Sequence, residues 1–486
     1  MEGLKPISRS VNARNALKWL KQSLFQWLTP SRCLVALWVL MVFKQVEGIT
    51  PLVFNATVKT CSTIAFLLLL IPVLFFPVYN VDRKAKRHVA WAFPLFAGGL
   101  IVWILHFLVG YFGRFGYHIS LSNLAMVGIL FGGLAGCGWV LTRQNLSSRR
   151  QLLLLGFSWA VVSLAWTVPL HNFPLDGDRS DMLPSIIATA KNLLSGQNPY
   201  RWHEIGTHRV PLTYLPMMWL PYVPLVALGL DPRWIMPLAQ LMLLGVYWIT
   251  LRKHLSSSWY EFLLWMVLNP FLFLRHDCHL YILWPFLAAT LLCMLHQRWI
   301  PAAVMWGLLL AFRKTLWVPF PFFIAFLLWN TGWRNALRCG LITTLIALLI
   351  IVPFFLASPT GFIDGVINYQ RAVALQMPNE SWRRVAGWTT GFSFVPIIYL
   401  AGLSRYLQPV QVTILAVVFM VMMLRRPNLA GTLQIMGTAL LLVLLLNPLI
   451  EVYMYAPLLI FMAFAALARQ NLPGADPQQS HLQRSI

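Results

Sequence analysis

The sequence predicts an all-α, polytopic transmembrane protein, and three observations carry that prediction. Of 486 residues, 59% are hydrophobic and only 10% are charged, with a mean hydropathy of +0.69. A soluble chain of this length needs far more polar surface. Apolar segments of about 17–23 residues recur along the chain, parted by short basic or Pro/Gly-rich links, which is the spacing of membrane-crossing helices. The net charge of +23 lies mostly in those links, so it reads as the bias of Lys and Arg toward cytoplasmic loops, and a nucleic-acid partner is not expected. No Walker motif or dinucleotide-binding glycine pattern occurs, so a nucleotide is not expected to take part directly.

The first 32 residues are basic and partly amphipathic. They read as a cytoplasmic interfacial helix and lack the apolar core and small-residue cleavage site of a leader. Spans follow over 33–54, 61–80, 89–111, 121–142 and 152–170. The links "VDRKAKRH" and "TRQNLSSRRQ" are strongly basic and are read as inside, which turns the loop after the fifth span, "DGDRSD", to the outer face. The stretch 210–229 carries Pro211, Pro216, Pro221 and Pro224 and is expected to be a broken or membrane-dipping segment. Spans over 234–251, 259–275 and 279–296 come next, with the turn "RHDCH" outside. Residues 301–329 are interrupted by Arg313 and Lys314, as two short spans or as a re-entrant pair. A span at 339–357 leads to a polar outer segment, 358–392. The stretch 393–404 is read as dipping into the membrane, and spans at 408–424, 430–447 and 453–468 complete about 12–14 crossings. Both ends are expected to be cytoplasmic, with 469–486 as a tail.

On this topology Asp176, Asp178, Asp181, Glu204, Asp277, Asp364, Glu380 and Glu451 all fall at outer ends or loops. The chain has only 14 acidic residues, and carboxylates contribute little to orientation, so a polar site on the outer face is the simplest reason for their gathering. Asp178 and Asp181 are three apart, so on one helical turn they project the same way. The following "LPSIIATAKNLLSG" has helical periodicity and closes on Gly196, which predicts a short surface helix with carboxylates at its head. Two readings of those carboxylates stand side by side: helix-capping charges favoured by the dipole, or a site.

The pattern of a fifth-span end, "D…D…LLSGQNPY", resembles the first outer loop of the GT-C superfamily of integral membrane glycosyltransferases, with Leu193-Leu194-Ser195-Gly196-Gln197-Asn198-Pro199-Tyr200 as the match and Asp181 as the aspartate in register. Further likenesses follow in order: "VPLTYLPMMWLPYVPL", "NPFLFLRHDCHLYILWPF", "GLLLAFRKTLWVPFPFF", "PNESWRRVAGW" and "LNPLIEVYMYAPLL". The resemblance therefore implies a GT-C-like catalytic module over 151–468, with short outer-face helices in its first catalytic loop. Residues 33–150, a four-span extension, lie outside it.

The resemblance implies transfer of a mannose-like hexose or a pentose from a polyprenyl-phosphate donor to a lipid or glycan acceptor, with inversion, at the periplasmic or exterior face of the cell membrane. A carboxylate is needed to take the acceptor hydroxyl's proton. Asp181 is the candidate base, Asp178 the candidate to orient the acceptor or hold a divalent cation, and Asp176 shares that work or caps the helix. The leaving lipid phosphate needs cationic donors: Arg201, His203, Arg209, His276, Arg313, Lys314, Arg383 and Arg384 are candidates. Candidate substrate contacts are Tyr200, Asp277, Asn379, Glu451 and Tyr453. Charges within an apolar run are costly and usually functional, although Lys314 or Arg313 snorkelling, or pairing with Asp277, is the competing structural account; Glu451 is open in the same way.

No metal is assigned at His276-Asp277-Cys278-His279, because adjacent residues rarely converge on one ion. The divalent cation at Asp178 and Asp181 is the one cofactor the resemblance allows. The six cysteines are scattered (Cys33, Cys61, Cys137, Cys278, Cys293 and Cys339) and read as packing residues. Most of the 22 Trp, which include Trp382, Trp388 and Trp202, read as interfacial belt residues; stacking on a sugar or packing along a polyprenyl chain is open to a few aromatics, and none is assigned. The alternative function, a transporter or flippase for a lipid-linked or polar substrate, predicts internal repeats and charges near the bilayer midplane; no repeat is visible.

Overall fold

The computed structural model describes residues 181–251, 279–369, 401–447 and 452–470, with single residues between 63 and 177 and between 393 and 398. These residues are about 80% helical. Helix α1 (Met182–Leu194) is followed by a hairpin of β1 (Trp202–Ile205) and β2 (His208–Pro211), then by α2 (Pro216–Trp219), α3 (Val223–Ala227) and α4 (Ile235–Leu251). Next come α5 (Leu283–Leu295), α6 (Trp299–Phe312), α7 (Phe320–Asn330), α8 (Trp333–Ala357) and the short α9 (Pro359–Ile363), which runs into a π-helical turn, Asp364–Tyr369. After them stand α10 (Leu407–Arg425), α11 (Leu429–Leu445) and α12 (Ala456–Gln470).

Several expectations meet the described residues directly. The proline-rich stretch is broken as the sequence predicts: α2, a 3-10 turn at Leu220–Tyr222 and α3 succeed one another, each with proline in its first turn, where the missing N–H leaves no helical bond unmade. The interruption read in 301–329 is found as two helices, α6 and α7, with Arg313 extended (φ −155°, ψ 135°) between them and a 3-10 turn at Lys314–Trp317. The hairpin departs from an all-helical expectation. Its register pairs Trp202 with Pro211 and Glu204 with Arg209, around a two-residue turn whose first position, Gly206, takes φ 57°, a conformation that costs glycine little.

Helices α6 and α8 run parallel and close together. Thr343 Oγ1 donates to the Ala303 carbonyl at 2.9 Å and Cys339 Sγ to that of Trp299 at 3.7 Å, both with a sequence offset of 40. A Cβ on Gly307 would stand 2.6 Å from Ile346 Cβ, so this approach requires glycine. The buried stripe of α8 is thus made of small residues, Ala336, Cys339, Thr343 and Ala347, while Leu341, Leu345, Leu348 and Leu349 face outward. That is the reverse of a helix on a water-soluble domain and the arrangement of helices that pack through small residues in an apolar surround. Helices α8 and α10 are long and apolar enough to cross a membrane, with 17% and 11% of their most apolar windows buried.

The ends of the helices can be matched. Gln411 Nε2 near the start of α10 donates to Leu446 O just past α11, at 2.9 Å. Arg313 Nη2 lies 3.1 Å from the sulfur of Met454, just before α12. The finishing ends of α6, α8 and α11 therefore gather with the starting ends of α7, α10 and α12. At the opposite end lie Arg298, Arg334, Arg338, Arg425 and Arg426. Among the described residues all four carboxylates (Asp181, Glu204, Asp231 and Asp364) lie at the first end or in the segments attached to it.

Candidate functional site

The loop 181–212 is folded onto the first end of the helices. Helix α1 forms because its apolar positions recur at helical spacing, burying Leu183, Ile186 and Ala190. It stops in a Schellman arrangement: Gln197 N donates to Asn192 O at 2.7 Å and Gly196 N to Leu193 O at 3.0 Å, with Gly196 at φ 69°. That closure matches the sequence expectation. The loop is pinned by two backbone crossings that only glycine admits. A Cβ on Gly361 would meet Tyr200 O at 2.1 Å, and one on Gly365 would meet Leu212 O at 2.1 Å.

Asp181 stands at the N-cap of α1 and is exposed. The dipole favours its charge at this position, but its backbone is helical (φ −80°, ψ −9°) and its side chain makes no capping bond. Instead its charge reaches Tyr369, whose phenol is pushed up first by burial and then by Asp181. Tyr369 packs edge-on against Trp202, with ring centres 6.1 Å apart. The hairpin alternates: Trp202 and Glu204 face out, His203 and Ile205 face in. Arg209 lies 5.9 Å over the Trp202 ring and 3.4 Å from Glu204. Phenol, indole and guanidinium are thus neighbours on one patch, and the charge of Asp181 acts on the phenol.

Lys314 donates to the carbonyl oxygen of Val366 in the π-helical turn, where the last carbonyls of a helix lack internal partners. Val366 is three residues before Tyr369, so the break between α6 and α7 is fastened less than a turn away from the residue that meets Trp202. The adjacent Arg313 turns instead to Met454. The two basic residues are therefore divided between neighbouring elements at one end.

Two candidates change role. His203 is 4% exposed and its ring is fully occupied. Pro199 O lies 3.2 Å from Nε2 and can only accept, so Nε2 carries the proton; Thr189 Oγ1, which donates to Ser185 O, shares it at 3.2 Å. Nδ1 then accepts from Asn192 Nδ2 at 3.4 Å, and the orientation of that amide is fixed by Arg201 donating to its Oδ1 at 2.8 Å. Burial first, and the charge of Arg201, lower the imidazole's pKa against the opposing effect of the Pro199 bond. A neutral, walled-in imidazole cannot be a cationic phosphate donor, and we correct that assignment. Tyr200 is likewise buried, donating to Tyr214 O at 2.7 Å and accepting from Trp219 Nε1 at 3.3 Å, which makes it a packing residue and not a substrate contact. Arg201 is exposed beyond its bond to Asn192.

Asp176, Asp178, His276, Asp277, Asn379, Arg383, Arg384 and Glu451, and the side chain of Tyr453, lie outside the described residues. No cluster of metal-ligating side chains occurs among the described residues. Sequence reading missed Tyr369, Gly361, Gly365 and the hairpin. Ile-Gly-Thr-His, with glycine first in a two-residue turn between alternating residues, was the signal for the hairpin; the rest carries no local signal. Asp231 and Arg233 also went unremarked: Arg233, buried, donates to Asp231 (Nε to Oδ1, 2.9 Å) and to Leu170 O (3.2 Å), tying the head of α4 to the chain before the loop.

By fold and site the described residues are a set of packed helices that carry a folded, carboxylate-bearing loop at one end. Compared with protein-family models, curated proteins and solved structures, the chain matches none of them.

Proposed function

We propose that this chain is a multi-pass membrane glycosyltransferase that moves a sugar from a polyprenyl-phosphate donor to a lipid or glycan acceptor at the outer face. The observation that carries the reading is the position of Asp181: an exposed carboxylate at the head of α1, not engaged in capping, at the end of the helices where Lys314 also lies. The membrane setting is supported by the outward leucines of α8 and by α10.

In the proposed reaction the acceptor hydroxyl oxygen attacks the anomeric carbon while Asp181 takes its proton. The bond from that carbon to the phosphate oxygen breaks, and the lipid phosphate leaves with the electron pair. Displacement from the opposite face inverts the anomeric centre. The negative charge that develops on the phosphate is met by Lys314, with Arg313 and, from outside the described residues, Arg383 as further donors. Asp178 orients the acceptor or holds a divalent cation.

The test is transfer by the purified full chain from a radiolabelled polyprenyl-phosphate sugar to an extracted membrane lipid and glycan fraction. Wild type transfers label, and Asp181→Asn abolishes transfer while eluting as a folded protein. Full transfer by Asp181→Asn and by Asp178→Asn removes the base assignment, and no transfer by wild type across a panel of lipid-phosphate sugars overturns the function. Membrane-impermeant thiol labelling of Ser195→Cys from the outer side, with Asn335→Cys protected, tests the orientation independently.

A further inference from the structure

Resting on that reading, we infer that the outward face of the hairpin is a saccharide-binding subsite for the acceptor, with Trp202 as its stacking platform and Glu204 and Arg209 as the groups that bond the sugar's hydroxyls. A pyranose ring has an apolar face of C–H groups and a rim of hydroxyls, so a site for it needs an exposed aromatic plane beside polar side chains. The hairpin supplies that set. Trp202 is 44% exposed, so its ring is open to a ligand.

Its orientation is fixed rather than free. The inward neighbours His203 and Ile205 anchor the strand, Tyr369 meets the indole edge-on at 6.1 Å, and the Arg209 guanidinium sits 5.9 Å from the ring centre. Glu204 and Arg209 are paired at 3.4 Å with side chains 79% and 66% exposed. An ion pair so open to solvent is held weakly, so its groups can be redirected to hydroxyls at little cost. The neighbourhood selects the acceptor over the donor. Trp202 rides on the hairpin whose His203 is seated against Thr189 and Asn192 of α1, the helix that Asp181 heads, whereas the lipid-borne donor is met by Lys314 at the π-helical turn.

The decisive experiment is saturation-transfer NMR on the full chain in nanodiscs without donor, using gluco-, galacto- and manno-configured disaccharides and chitobiose as probes. At least one probe shows transfer to its ring hydrogens with wild type and with Asp181→Asn. Trp202→Ala weakens that binding by about tenfold, Trp202→Phe retains most of it, and Glu204→Gln weakens it by a smaller factor. No probe binding to wild type, or equal binding by wild type and by a folded Trp202→Ala, overturns the inference. Because no donor is present, this result is separate from the transfer assay. Loss of transfer activity with intact probe binding would count against the enzyme and leave the subsite standing.

Discussion

Asn192 holds His203 from one side with Nδ2 3.4 Å from the ring Nδ1, while its own Oδ1 accepts from Arg201 at 2.8 Å. This chain of donors and acceptors has one consistent assignment, and it requires an unprotonated Nδ1. A proton there faces the Asn192 amide donors, and turning the amide over faces them toward Arg201 instead.

The lowered pKa of His203 sets the direction of a pH effect. A histidine titrating below its unfolded value, about 6.5, contributes stability that is fully present above that value and is lost as pH falls through the folded one. The protection factors of the amides over 199–211, taken relative to intrinsic exchange at each pH, should therefore fall on going from pH 7.5 to 5. His203→Gln, which keeps a polar group without the titration, should flatten the response. The same pH dependence in both proteins would remove His203 as the cause.

Gly361 and Gly365 face carbonyl oxygens that belong to the backbone and cannot move aside. Alanine at either position should cost about 1–3 kcal/mol, the usual penalty of overpacking. The loss should appear as a lower melting temperature and as faster proteolysis within 199–211. Gly128→Ala, where a Cβ meets nothing within 4 Å, is the control.

Tyr200→Phe separates packing from substrate contact. Removing the hydroxyl leaves the Tyr214 carbonyl and the Trp219 N–H without this partner, at about 1–3 kcal/mol. A melting temperature that falls with donor and acceptor KM unchanged fits the packing role. A raised KM at unchanged stability would return Tyr200 to the substrate site.

Between α6 and α8, Thr343→Val deletes one interhelical bond and should cost about 0.6 kcal/mol, the average for such bonds in an apolar surround. Gly307→Val drives a branched side chain into Ile346 and the Thr343 carbonyl and should cost several times more. Similar losses in the two variants would mean the helices can part without penalty.

Much of the architecture could be read from local pattern. The helical spacing in "LPSIIATAKNLLSG" and its closing glycine gave α1 and its end. The four prolines gave the broken stretch before α4, since each acts on its own backbone regardless of what lies around it. Arg313 and Lys314 marked a real interruption. The roles of individual polar residues were less legible. His203 and Arg201 are both basic in the sequence, yet one is enclosed by Thr189, Asn192 and Pro199 and the other is open to solvent, and nothing in "PYRWHEI" says which.

Composition and periodicity by themselves determined that this chain is mainly helical and apolar, because a residue's hydropathy and its neighbours at three and four positions act locally. Only the tertiary structure decided what meets what. It set Tyr369 against Trp202, fastened Lys314 to Val366, and turned Trp202 outward while burying His203. The physical reason is that packing at Gly361 and Gly365 and the satisfaction of buried donors are properties of the folded neighbourhood, which no single segment encodes.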